Sequence, residues 1–181
     1  EAPAGGALGL IGRAVDTLFD QQRLDAVEQI LKLGGRMVTS DPGTQHLLLF
    51  TRLRLQTARG EWQELEALFP TAAATLPDAD LHRLLRQVLP ALIKAGKISL
   101  ADSFCEEIVA RQSSKPQSLG VAARYWTESA AANDPAALPA RLETLLRAKL
   151  PVRQLCSLYM RFFYEVIDDP AIVKPMKALG E

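Results

Sequence analysis

Asp80-Leu81-His82-Arg83-Leu84-Leu85-Arg86-Gln87-Val88-Leu89-Pro90-Ala91-Leu92-Ile93-Lys94-Ala95-Gly96-Lys97-Ile98-Ser99-Leu100-Ala101-Asp102-Ser103-Phe104 reads as helix, tight turn, helix. In its first half Leu81, Leu84, Leu85, Val88, Leu89, Leu92 and Ile93 fall at i, i+3, i+4, i+7, i+8, i+11 and i+12, one apolar stripe of helical period. His82, Arg83, Arg86, Gln87 and Lys94 take the opposite face. Asp78 and Asp80 suit the N-terminus as cap and as charge on the helix dipole, and Gly96 suits a left-handed stop. Pro90 removes one backbone hydrogen bond and is expected to kink the helix. The second helix, from about Ser99 to Arg111, turns Leu100, Ala101, Phe104, Cys105 and Ile108 inward, and Asp102, Glu106 and Glu107 to water. Ala101 is short enough to let the two helices approach near their turn.

The same unit recurs along the chain. Turn anchors stand at Gln22-Arg23-Leu24, Gly60-Glu61-Trp62, Gly96-Lys97-Ile98 and Asn133-Asp134-Pro135, spaced 38, 36 and 37 residues apart. Pro42, Pro77, Pro116 and Pro151 each open a helical stretch at intervals of 35, 39 and 35. Val27, Leu65 and Leu138 stand at or within one position of the Ala101 place. The remaining pairs read as 7–21 with 23–33, closed by Gly34-Gly35; 43–58 with 61–73, which Pro70 shortens; and 117–132 with 136–149. In the first pair Ile11, Val15 and Leu18 face Leu24, Val27, Ile30 and Leu31. A helix at 152–167 and a closing helix at 171–179 follow. β-branched runs of period two are absent, so strands have no foothold. Repetition at this period signals stacked helical hairpins, none of which buries its apolar face alone.

Turn, apolar anchor, small residue and large apolar residue, in that order, resemble the tetratricopeptide-like helical repeats. Leu92 to Phe104 comes closest and also looks like the pentatricopeptide variant; the resemblance covers about 20–170. Gln22 and Asn133 replace the turn glycine, Pro135 misses the large apolar slot that Trp62 and Ile98 fill, and the units run a few residues long. The expectation is a divergent, single-domain, all-α structure, a right-handed α-solenoid of about four helix-turn-helix repeats (7–38, 42–76, 77–115 and 116–150) capped by a terminal pair at 151–181. The resemblance further implies that the first helix of each hairpin lines a concave face.

Composition narrows the function. With 48% apolar and 23% charged residues the 181-residue chain has the makeup of a folded domain. Lys+Arg 21 balance Asp+Glu 21, so no global basic field holds a nucleic-acid backbone. No apolar run reaches the ~18 residues a membrane span needs. The chain begins at Glu1, with Glu1-Ala2-Pro3-Ala4-Gly5-Gly6 ahead of the first helix, compatible with a mature exported protein, an excised domain or trimmed ends. Localisation is left open. Cys105 and Cys156 sit 51 apart inside helical patterns and read as small apolar side chains. His46 and His82 lack a second ligand at i+3 or i+4, and nucleophile elbows, P-loops and dinucleotide fingerprints are missing. No catalytic, metal or cofactor residue is therefore expected, and no enzyme.

What these residues suit is interaction. Arg52, Arg54, Arg83, Arg86 and Lys94 lie on the polar faces of 43–58 and 80–95, where guanidinium groups can take carboxylates bidentately. Arg54, Arg83 and Arg86 are expected on one concave surface, beside a smooth strip of Gly120, Ala123, Thr127 and Ala131. Helix 152–167 is apolar nearly all round, which suits burial on several sides, or exposure of Tyr159, Phe163 or Tyr164 as an interface anchor. The expected partner is a protein or peptide with an acidic end. The alternatives are an RNA-binding pentatricopeptide-like array and a structural or oligomerising domain of a larger protein.

Overall fold

The computed structural model describes residues 4–36, 41–111 and 115–148, and between 150 and 161 all but 152, 155 and 159. These residues are helical, without a strand among them. The helices are α1 (Ala4–Asp20), α2 (Leu24–Arg36), α3 (Pro42–Arg59), α4 (Trp62–Thr75), α5 (Asp78–Lys94), α6 (Ile98–Ala110), α7 (Pro116–Asn133) and α8 (Leu138–Arg147), with a 3₁₀ turn at Pro135–Ala137. No helix of the described residues is long and apolar enough to cross a membrane. The chain divides into two compact units, Glu1–Leu76 and Pro77–Glu181, at the edge between the expected second and third repeats. Of the expected helix 152–167, residues 153–154, 156–158 and 160–161 are helical; the rest, and the closing helix 171–179, lie outside the described residues.

Three hairpin turns share one geometry. Gln22, Gly60 and Gly96 all take the left-handed conformation, with φ of 56°, 72° and 71°. In each, the next amide reaches back five residues: Arg23 N–H to the Leu18 carbonyl at 2.8 Å, Glu61 to Gln56 at 2.9 Å, Lys97 to Leu92 at 2.8 Å. This double-bonded helix stop satisfies carbonyls the helix end would otherwise orphan. Gln22, which breaks the glycine pattern in sequence, thus adopts the glycine's conformation at the cost of a Cβ clash. Gln22→Gly is expected to stabilise the protein by about 0.5–1 kcal/mol, strain relief outweighing the extra freedom of the unfolded chain; thermal denaturation checks it. The fourth turn differs. α7 continues through Asn133, and the 3₁₀ turn at Pro135 delays α8 to Leu138.

In the first unit α1 packs on α2 and α3, α2 on α3, and α3 on α4. Its core holds Val15, Val27, Leu53, Leu65, Phe69 and Ala72. Ile11, expected inside, is 44% exposed. Gly34 and Gly35 do not end α2; they lie within its last turn, which runs to Arg36, and a Cβ on Gly34 would stand 2.5 Å from a Leu48 methyl. Pro70 does not break α4, which runs on to Thr75.

In the second unit α7 is central, contacting α5, α6 and α8, while α5 also packs on α6. Leu81, Leu84, Leu85, Val88, Leu89 and Leu92 are fully buried on α5. Ile93 is not, at 41% exposure: at 100° per residue it lies about 40° beyond Leu89, outside the arc its neighbours cover. α5 runs unbroken through Pro90, which sits on the exposed side. Ala123 and Thr127 form no surface strip. Both are fully buried, the Thr127 hydroxyl donating to the Ala123 carbonyl at 2.8 Å, because the central helix needs small side chains where others press on it. The small-residue slots Val27, Leu65, Ala101 and Leu138 are all buried.

Asp78 also departs from expectation. Pro77 takes the cap position of α5, and the Asp78 carboxylate crosses to the start of α7, accepting from the Gln117 amide at 3.0 Å, the Ser118 amide at 2.9 Å and the Ser118 hydroxyl at 2.6 Å. Burial alone raises its pKa, but these three donors outweigh it and hold the carboxyl below its ordinary 3.8. The sign follows. The contribution is complete above pH ~3.8 and is lost as pH falls through the depressed value. Asp78→Ala is expected to cost about 1–2 kcal/mol at pH 7 and to flatten the acid limb of the stability–pH curve; urea titrations between pH 2 and 7 check both.

Candidate functional site

A groove of about 540 Å³ opens in the first unit between α2, α3 and α4. Leu31, Leu48, Leu49, Leu55 and Leu68 contribute its apolar lining. Asp41 starts α3 by accepting from the Thr44 amide at 2.7 Å, which sets the phase that turns Leu48, Leu49, Arg52 and Gln56 to the groove. The rim is charged in both signs. Glu28 takes Lys32 at 2.6 Å and Arg59 at 2.7 Å, and Arg59 also faces Asp25 at 3.2 Å and Glu61 at 3.9 Å. Hydrogen bonds from Lys32 and then Arg59, with their charges, hold the Glu28 carboxyl at about 2, so Glu28 stays ionised at any physiological pH.

Two groove residues on α3 are left over. Gln56 is only 4% exposed, and its Oε1 is buried with no hydrogen-bond partner among the described residues. Such an acceptor costs about 1–3 kcal/mol. Arg52, one turn earlier, is exposed and has no carboxylate partner among the described residues. A polar residue in an apolar register is the signal that finds Gln56: it continues the buried series Phe50 and Leu53 of α3.

Arg52, named from sequence, lines this groove; the other described residues named with it do not. Arg54 does not line it. Its side chain is 10% exposed, bonded to Asp16 of α1 at 2.5 Å, with the guanidinium carbon 4.2 Å from the Phe19 ring centre. A long stem that buries itself and a fork that finds a carboxylate explain the placement. Arg83, Arg86 and Lys94 lie in the second unit on the exposed side of α5, around Pro90. Tyr159, Phe163 and Tyr164 lie outside the described residues. Asp102, expected in water, is half-buried and pairs with Arg141 at 2.8 Å. Cys105 is buried and Cys156 exposed, both as free thiols; burial, then the nearby Asp102 charge, pushes the Cys105 thiol far up, which makes it inert.

The second unit has a groove of about 400 Å³ beside His82, Gly120, Arg124 and Gln154. Two of its polar side chains are engaged: His82 Nδ1 meets the Gln117 carbonyl at 3.2 Å, and Arg124 meets Glu128 at 2.9 Å. Among the described residues no three His, Cys, Asp or Glu side chains gather to hold a metal. Set against protein-family models, curated proteins and solved structures, the chain matches none, so the chemistry of the α2–α3–α4 groove is what a functional reading stands on.

Proposed function

We propose that this protein is an interaction scaffold, a divergent tetratricopeptide-like α-solenoid that holds a peptide segment of a partner protein in the α2–α3–α4 groove. One observation supports the reading: Leu31, Leu48, Leu49, Leu55 and Leu68 line a groove that the exposed Arg52 also lines. Apolar lining with a few convergent polar groups is how ligand sites on proteins are built. The alternating signs of Lys32, Glu28, Arg59 and Glu61 suit a polypeptide better than a phosphate backbone.

The test is selection of random peptides on the intact chain, followed by amide shift mapping. Selected peptides are expected to perturb residues 28–35 and 48–56, and Leu49→Glu, which puts a charge into the lining, is expected to abolish binding while far-UV circular dichroism stays unchanged. Peptides that shift only residues beyond 77, or a gel shift with single-stranded RNA at low salt that Leu49→Glu leaves intact, would replace this reading.

A further inference from the structure

Three acids and three bases line the α2–α3–α4 groove, and two of these six side chains have no ion-pair partner among the described residues: Arg52 of α3 and Glu64 of α4, both exposed. The other four hold one another, Glu28 taking Lys32 and Arg59, and Arg59 also facing Glu61. The α3–α4 hairpin turns at Gly60, so residues equally far from the turn lie level, Arg52 with Leu68 and Glu64 with Gln56. The two unengaged charges are thus offset by one helical turn, about 6 Å along the axes, and by a helix spacing of about 8–10 Å across, roughly 10–12 Å between backbones. Leu49, Leu55 and Leu68 line the groove alongside them. A nucleic-acid backbone brings anions alone, which Arg52 attracts and Glu64 repels; a polypeptide brings both signs together with apolar side chains. Resting on the groove reading above, we propose that the groove selects its occupant by charge at two points: an apolar segment of the partner protein whose Glu or Asp side chain pairs with Arg52 and whose Lys or Arg side chain pairs with Glu64. Opposite charges at two separated points also fix the direction of the segment, because the reversed one sets acid against acid and base against base.

The probes are degenerate, fluorescein-labelled dodecapeptide pools, acetylated and amidated so that no terminal charge takes part. Each has leucine at half its positions, the rest drawn from Gln alone, from Glu and Gln, from Lys and Gln, or from Glu, Lys and Gln. Anisotropy with the full chain is expected to rank the Glu–Lys pool first, about two- to fivefold tighter than either single-charge pool. Arg52→Gln should erase the advantage that Glu confers and keep the one that Lys confers, and Glu64→Gln should do the reverse. Arg52→Glu/Glu64→Arg, which only reverses the direction of the segment, should restore the ranking. Equal binding of the four pools, a single-charge pool that ranks first, or a ranking that survives either single substitution overturns the inference; if Leu49→Glu still abolishes that binding, the groove reading stands without it. Failure of every pool to bind overturns the two together.

Discussion

Leu89→Ala is expected to lower the unfolding free energy by about 2–5 kcal/mol, and Ile93→Ala by less than about 1. Both residues belong to one apolar stripe in the sequence, and only the packing separates them. Leu89 is fully buried where α5 meets its neighbours, so truncation leaves a cavity that close-packed surroundings refill poorly. Ile93 is 41% exposed, so its removal leaves little void. Urea unfolding curves with matched slopes decide it, since the slope reports whether the unfolded state also changed. Comparable losses at both positions would mean that α5 is turned differently about its axis.

Arg141→Met is expected to cost about 2–3 kcal/mol, with a coupling to Asp102. The Arg141 side chain, 15% exposed, joins three helices: it donates to the Trp126 carbonyl of α7 at 2.6 Å, pairs with Asp102 of α6 at 2.8 Å, and sets its guanidinium carbon 5.1 Å from the Trp126 ring centre. Asp102 is 21% exposed, so losing the cation strands a poorly solvated carboxylate. Arg141→Met/Asp102→Leu should therefore recover much of the loss, since removing both charges also removes the desolvation penalty. A double-mutant cycle measures this directly. Additive losses would show that the pair contributes nothing of its own.

In the first unit Arg54 does the same work with Asp16 and Phe19. Each unit thus spends a cation, placed on a polar face by simple periodicity, on tying helices together. Charge patterning alone does not distinguish a solvated arginine from one that has found a carboxylate 38 residues away.

Local physics was legible in the sequence. Turn spacing, helix-opening prolines and the stripe Leu81 to Leu92 determine that the chain is all-α and where its hairpins turn, because these effects act within one or two helical turns of backbone. The small-residue slots follow from the same register. Which face of a helix meets another helix is settled by packing, and it decided the rest: Ile93 outside, Ala123 and Thr127 inside, Asp78 capping α7 rather than α5, Arg54 paired with Asp16 and Asp102 with Arg141. It also decided the candidate site. Gln56 stands in the register of Phe50 and Leu53, but only the packing around α3 excludes the water that would have bonded its amide oxygen. Burial converts a common side chain into an unmet donor requirement, and burial is a property of the assembled helices alone.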